Sequence, residues 1–87
     1  METWRQQIIE EMGKWAETWG DVVSCTLTDA ELDVEFDTGY GGKNGLPFTL
    51  WTRNRAYFPV CYDGAEWVAS VSRMPDGVAT EHAGGGG

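Results

Sequence analysis

Long apolar runs are the first thing this sequence lacks. No stretch approaches the roughly 20 residues that a membrane-spanning helix needs. The N-terminus also lacks the basic, apolar and small-residue pattern of a secretory signal. Those two absences lead to the expectation of a cytoplasmic protein with no membrane partner. Cysteine is scarce, with only Cys25 and Cys61. Two thiols without a nearby histidine make no zinc site. The strand assignments below put them on opposite sheet faces, which argues against a disulfide. The only histidine is His82, close to the C-terminus, where solvent is its expected surrounding. No Ser-His-Asp or Cys-His nucleophile can be assembled from such a set, and neither a cofactor nor a metal is expected.

Positive charge is scarce as well. Six Lys and Arg stand against 14 Asp and Glu, for a net charge of −8. A field of that sign repels nucleic acid and anionic membranes, so neither is expected as a direct partner. A basic protein surface is the favoured one. Acidity alone also keeps a small protein soluble, so the pattern of the acids matters more than their number.

That pattern is most regular from Asp29 to Asp37, where acidic and apolar residues alternate without a break. Period-2 alternation predicts a half-buried strand. Leu32, Val34 and Phe36 would face inward. Asp29, Glu31, Asp33, Glu35 and Asp37 would form an outward ladder, about 6.6–6.8 Å between successive acids. Such a row repels itself and gives folding no evident return, which marks it as a candidate binding surface. Carboxylates ranged along an open strand are solvated and alike, so they suit neither acid–base catalysis nor calcium, which needs ligands converging from a curved loop.

The remainder predicts one small domain. Thr3 to Trp19 reads as a helix, opened by a Thr3–Gln6 capping box and closed at Gly20. Trp4, Ile8, Met12, Trp15 and Trp19 form its apolar stripe, and Glu10 and Lys14 its i,i+4 pair. Val22 to Thr28 is β-branched and predicts the first strand, paired through a turn at Asp29-Ala30 with the acid ladder. The glycine-rich stretch from Thr38 to Gly45 is a connection. It lacks the spacing of a phosphate-binding loop.

Leu46 to Thr52, Ala56 to Tyr62 and Ala65 to Ser72 complete the strands. A three-residue turn at Arg53-Asn54-Arg55 keeps Leu50 in phase with Phe58, and Asp63-Gly64 predicts a tight hairpin. Pro59 predicts a bulge or gap. The expected fold is α+β: one N-terminal helix on a five-stranded antiparallel meander, in two layers. Residues 1–77 would be the domain and 78–87 a glycine-rich tail.

In that register the face away from the helix carries the ladder, Trp51 beside Tyr57, Pro59 beside Val68, and Cys61 beside Glu66. Trp51 and Tyr57 would form an aromatic patch where polar residues are usual. Carboxylates and rings together suit an arginine-rich surface. The candidate partner-binding residues are therefore Glu31, Asp33, Glu35, Asp37, Trp51, Tyr57 and Glu66.

In size, acidity and absence of a catalytic motif, the chain resembles the small phage-encoded inhibitors of bacterial defence, the anti-CRISPR and anti-restriction proteins. The resemblance is one of type and implies a non-catalytic inhibitor acting in the host cytoplasm. Its target would be a nucleic-acid-binding effector, blocked by mimicry of DNA or by plugging a protein site. The alternative is an adaptor, immunity or chaperone-type protein that dimerises through its open sheet face. The two differ in salt response: a charge mimic is monomeric and salt-sensitive, whereas an apolar dimer persists in high salt.

Overall fold

The computed structural model describes residues 2–36, 45–62, 65–80 and 82–83. Helix α1 spans Trp4–Lys14. Its N-terminus is the expected capping box, with the Thr3 hydroxyl accepting from the Gln6 N–H and the Gln6 side chain accepting from the Thr3 N–H. The helix ends earlier than Gly20. Ala16 turns the chain at φ 55°, and the Glu17 N–H reaches back to the Met12 carbonyl at 3.0 Å. That closure is a Schellman-type stop with alanine where glycine is preferred. Trp4, Ile8 and Met12 of the expected stripe are buried, whereas Trp15 is 48 % exposed. Lys14 pairs with Glu11 at 3.2 Å rather than with Glu10.

A 3₁₀ turn at Trp19–Asp21 leads into β1, Val22–Cys25. The acid ladder then departs from expectation. Asp29–Leu32 form a single helical turn, α2. Its cap is Thr28, whose hydroxyl accepts from the Glu31 N–H at 3.2 Å while the Glu31 carboxylate accepts from the Thr28 N–H at 2.9 Å. Helical phase places Asp29 and Asp33 four residues apart on one side, and Arg5 of α1 meets both, at 3.3 and 2.6 Å. Self-repulsion along a strand is exchanged for a cap and two ion pairs. The segment keeps one trace of pairing, an antiparallel bridge between Glu2 and Phe36.

The sheet has four antiparallel strands, not five, in the order β1-β2-β3-β4, and the fold holds two α-helices rather than one. Strand β2 is Leu50–Thr52, β3 is Arg55–Tyr62 and β4 is Ala65–Ser72. β1 pairs with β2, with Cys25 opposite Leu50. The β3–β4 register is the expected one from Ala56 opposite Val71 to Tyr62 opposite Ala65, and Arg55, expected in the turn, adds a pair with Ser72. It runs without a break through Pro59. Strand β2 pairs only with Ala56 and Tyr57, so the missing N–H of Pro59 deprives no β2 partner. A bulge occurs instead in β1, between Val22 and Ser24.

The β2–β3 connection has two residues, Arg53-Asn54, rather than three, and Leu50 lies opposite Tyr57. Thr52 makes the short turn work. Its hydroxyl accepts from the Asn54 and Arg55 N–H groups at 3.3 and 2.9 Å, as Ser and Thr side chains do in turns. One residue fewer inverts the faces of β3 and β4 relative to the helix, because side chains alternate with period 2. Tyr57, Val68, Glu66 and Ser70 are buried beneath α1, which lies chiefly on β4. Both cysteines are on this side, opposite Leu50 and Glu66, and both are free thiols.

The core centres on Trp4, Ile8, Met12, Leu32, Phe36, Phe48, Leu50, Tyr57 and Val68. Trp4 is flanked by Phe36 and Phe48, whose rings are tilted 56° to it at centroid distances of 4.7 and 5.0 Å, and its indole N–H donates to the Leu46 carbonyl at 2.9 Å. Gly45 closes against that ring. A Cβ there would lie 2.5 Å from Trp4 Cζ2 and 2.9 Å from Phe36 Cζ. Residues 73–80, 82 and 83 are exposed and irregular. Among the described residues, no helix is long and apolar enough to cross a membrane.

Candidate interaction surface

The two sheet faces divide the chemistry unequally. On the helix side, polar groups of the strands are joined to carboxylates of the α1 region. Glu11, 8 % exposed, accepts from the Ser70 hydroxyl and from the Trp15 indole, each at 3.0 Å. Glu17 follows the left-handed Ala16. Its two carboxylate oxygens accept from the Thr52 hydroxyl at 3.0 and 2.9 Å, and one accepts from the Tyr57 hydroxyl at 2.5 Å. Burial raises the Tyr57 pKa, and the bond to Glu17 raises it further. The phenol is thus held protonated as a donor. Arg55 donates to the Ser70 hydroxyl at 2.9 Å and stacks 3.6 Å over the Trp15 ring. Glu66, 5 % exposed, accepts from the Gly45 N–H at 3.0 Å. Among the described residues, no buried side-chain nitrogen or oxygen lacks a hydrogen-bond partner.

The opposite face is apolar. Antiparallel partners share a face, so the register sets Trp51 with Ala56, Ala56 with Val71, Phe58 with Ala69, Val60 with Trp67, and Tyr62 with Ala65. None of these residues is charged. Val60 is buried outside the helix-side cluster, and Trp51, Phe58, Trp67 and Val71 are half-buried. An antiparallel sheet that meets water on one side normally alternates apolar-in with polar-out. Here the polar strand residues Thr52, Arg55, Glu66 and Ser70 are on the helix side, and the side turned away from the helix carries two tryptophans and a phenylalanine, with Ser24 beside Trp51.

Of the residues singled out from sequence, only Trp51 is on this open face. Tyr57 and Glu66 are in the helix-side interior, with Tyr57 at 0 % exposure. The corrected patch replaces Tyr57, Pro59, Val68 and Glu66 by Phe58, Val60 and Trp67. The signal for it was the β3–β4 register itself, which pairs Val60 with Trp67 and Phe58 with Ala69. The turn length reversed which side that set occupies.

The acids form a separate surface. Asp29 and Asp33 are engaged by Arg5, yet their side chains stay 90 % and 57 % exposed. They raise the pKa of Arg5, the hydrogen bond it donates to Asp33 foremost, against an opposing contribution from desolvation. Arg5 also stands 4.7 Å over the Trp19 ring. Glu31 is half-buried in its cap, Glu35 is exposed, and Asp37 lies outside the described residues, as does the expected Asp63-Gly64 turn. Among the described residues, no group of three or more His, Cys, Asp or Glu is placed to hold a metal ion. Set against known proteins, the chain matches no family model, no curated protein and no solved structure.

Proposed function

We propose that the chain is a non-catalytic binding protein that works by pairing its apolar sheet face with the same face of a second copy, as an adaptor, immunity or chaperone-type protein would. The observation that carries this reading is the division of the sheet. Polar groups of β2, β3 and β4 are consumed internally by Glu11 and Glu17, while Trp51, Phe58, Val60 and Trp67 remain on the side without a helix. Two sheets packed face to face stand about 10 Å apart and interdigitate such side chains. None of the described strand residues of this face is charged, so pairing them requires no carboxylate to be desolvated.

Sedimentation of the wild type and of Trp67→Glu tests the proposal. The wild type should dimerise and remain dimeric at ~1 M salt, where the Debye length is about 3 Å. Trp67→Glu should be a folded monomer. A wild-type monomer at all concentrations, or a Trp67→Glu dimer of equal strength, would refute it.

A second reading rests on a different surface. Asp29, Asp33 and Glu35 are exposed on the α2 side. Together with the net charge of −8 they supply a field that favours a basic protein surface, such as the nucleic-acid groove of a defence effector. Here the test is partner capture from bacterial lysate by the wild type and by a triple variant, Asp33→Asn with Glu35→Gln and Asp37→Asn. A nucleic-acid-binding partner lost with the variant supports the inhibitor reading. Equal recovery by both makes these acids a solubilising surface.

A further inference from the structure

The apolar face has a neighbour within its own chain. A groove of about 950 Å³ follows its β4 edge, lined by Phe58, Trp67 and Val71 of the apolar face, by Trp15 and Arg55 of the helix side, and by residues 74–80, 82 and 83. This C-terminal segment is rooted at the end of β4. The Arg73 N–H donates to the Asn54 carbonyl at 2.9 Å, the Arg73 guanidinium donates to the Thr52 carbonyl at 2.6 Å, and the Ser72 hydroxyl donates to the Met74 carbonyl at 2.7 Å. The chain then turns at Asp76-Gly77. The Asp76 carboxylate accepts from the Val78 N–H at 2.9 Å, and Gly77 takes φ 75°, a conformation glycine adopts without cost.

Beyond that turn the attachment is slight. Among the described residues, no hydrogen bond joins positions 75–83 to the sheet. Met74 and Val78 are apolar yet 66 % and 74 % exposed. The segment therefore borders the apolar face without closing on it, and the space between is not filled. A fixed root, a preset turn, apolar residues on either side of it and an unfilled groove are the parts of a strap.

The geometry points to residues 74–80 acting as a displaceable strap that competes with the second copy for Phe58, Trp67 and Val71. The inference rests on the proposed self-pairing of that face, and it adds that pairing is limited by the fraction of molecules with the strap lifted. If nine in ten copies hold the strap down, the apparent affinity falls about tenfold, because it scales with the competent fraction.

The test uses the full chain. A variant with Met74→Ser, Val78→Ser and Ala79→Ser weakens the strap without touching the strands. Sedimentation reads dimerisation, and the assigned Trp67 indole N–H resonance, at a dilution where both proteins are monomeric, reads the cover. The expected result is about tenfold tighter dimerisation of the variant, a shifted Trp67 resonance, and reversal of both by a synthetic peptide of residues 74–87. Equal dimerisation of both proteins with an unmoved Trp67 resonance overturns the strap and leaves the self-pairing face standing. Monomers at all concentrations with a shifted Trp67 resonance keep the strap as a cover and overturn self-pairing. Monomers with no shift overturn both.

Discussion

Replacing Tyr57 by phenylalanine removes one oxygen, and the register of the sheet decides what that costs. With the two-residue turn, Tyr57 is fully buried and its hydroxyl donates to Glu17 at 2.5 Å. A hydrogen bond to a charged partner is worth about 1.5–3 kcal/mol. Glu17 is half-buried and keeps both contacts to Thr52, so the low end applies, about 1.5 kcal/mol. For a domain of this size each kcal/mol moves Tm by about 4–8 °C, which gives a fall of about 6–12 °C at neutral pH. The effect should disappear in alkali. The folded-state pKa of Tyr57 is raised by burial and then by Glu17, so its contribution is whole below the ordinary tyrosine value of about 10 and is lost as pH rises through the higher folded value. Thermal unfolding followed by circular dichroism at pH 7 and through the alkaline range reads both effects. A Tyr57→Phe protein within about 0.5 kcal/mol of wild type, with the same alkaline loss, would mean that Tyr57 faces solvent and that the faces are assigned the wrong way round.

Two further substitutions probe the local geometry. Ala16→Gly should stabilise the fold, since a non-glycine residue in the left-handed region costs about 1–2 kcal/mol. The added freedom of the unfolded glycine returns about 0.4–1 kcal/mol, leaving a net gain of about 0.5–1 kcal/mol, readable as a higher denaturation midpoint. Gly45→Ala should destabilise by about 1–3 kcal/mol, because the new methyl would meet the Trp4 ring at 2.5 Å and that ring is fixed between Phe36 and Phe48. The same denaturation curve checks it.

Much of the architecture was legible because its signals are local. The Thr3–Gln6 box, the Trp4, Ile8 and Met12 stripe, and the β3–β4 pairs from Ala56 to Tyr62 follow from spacing alone. The errors arose where two local signals competed. Asp29 to Asp37 alternates like a strand, but Thr28-Asp29-Ala30-Glu31 is also a capping box of the same form as Thr3 to Gln6. The cap prevails because it satisfies two N–H groups and places Asp29 and Asp33 against Arg5. A three-residue β2–β3 turn matches the apolar sets of the two strands only if the more apolar set faces the helix. Helix-borne Glu11 and the nearby Glu17 break that condition, since they need Ser70, Thr52 and Tyr57 beneath them. The candidate surface followed the turn: Trp51 is on the face away from the helix as expected, whereas Tyr57 is on the helix side, one residue from Phe58, which shares the face of Trp51.

The central claim is that the face carrying Trp51, Phe58, Val60 and Trp67 is where this protein meets its partner. Isotope-filtered NOE spectroscopy on a mixture of labelled and unlabelled copies tests it most directly. Intermolecular contacts among the side chains of Phe58, Trp67 and Val71 are the predicted result. A spectrum with no intermolecular contacts at that face, or with contacts confined to α1 and α2, would contradict the account.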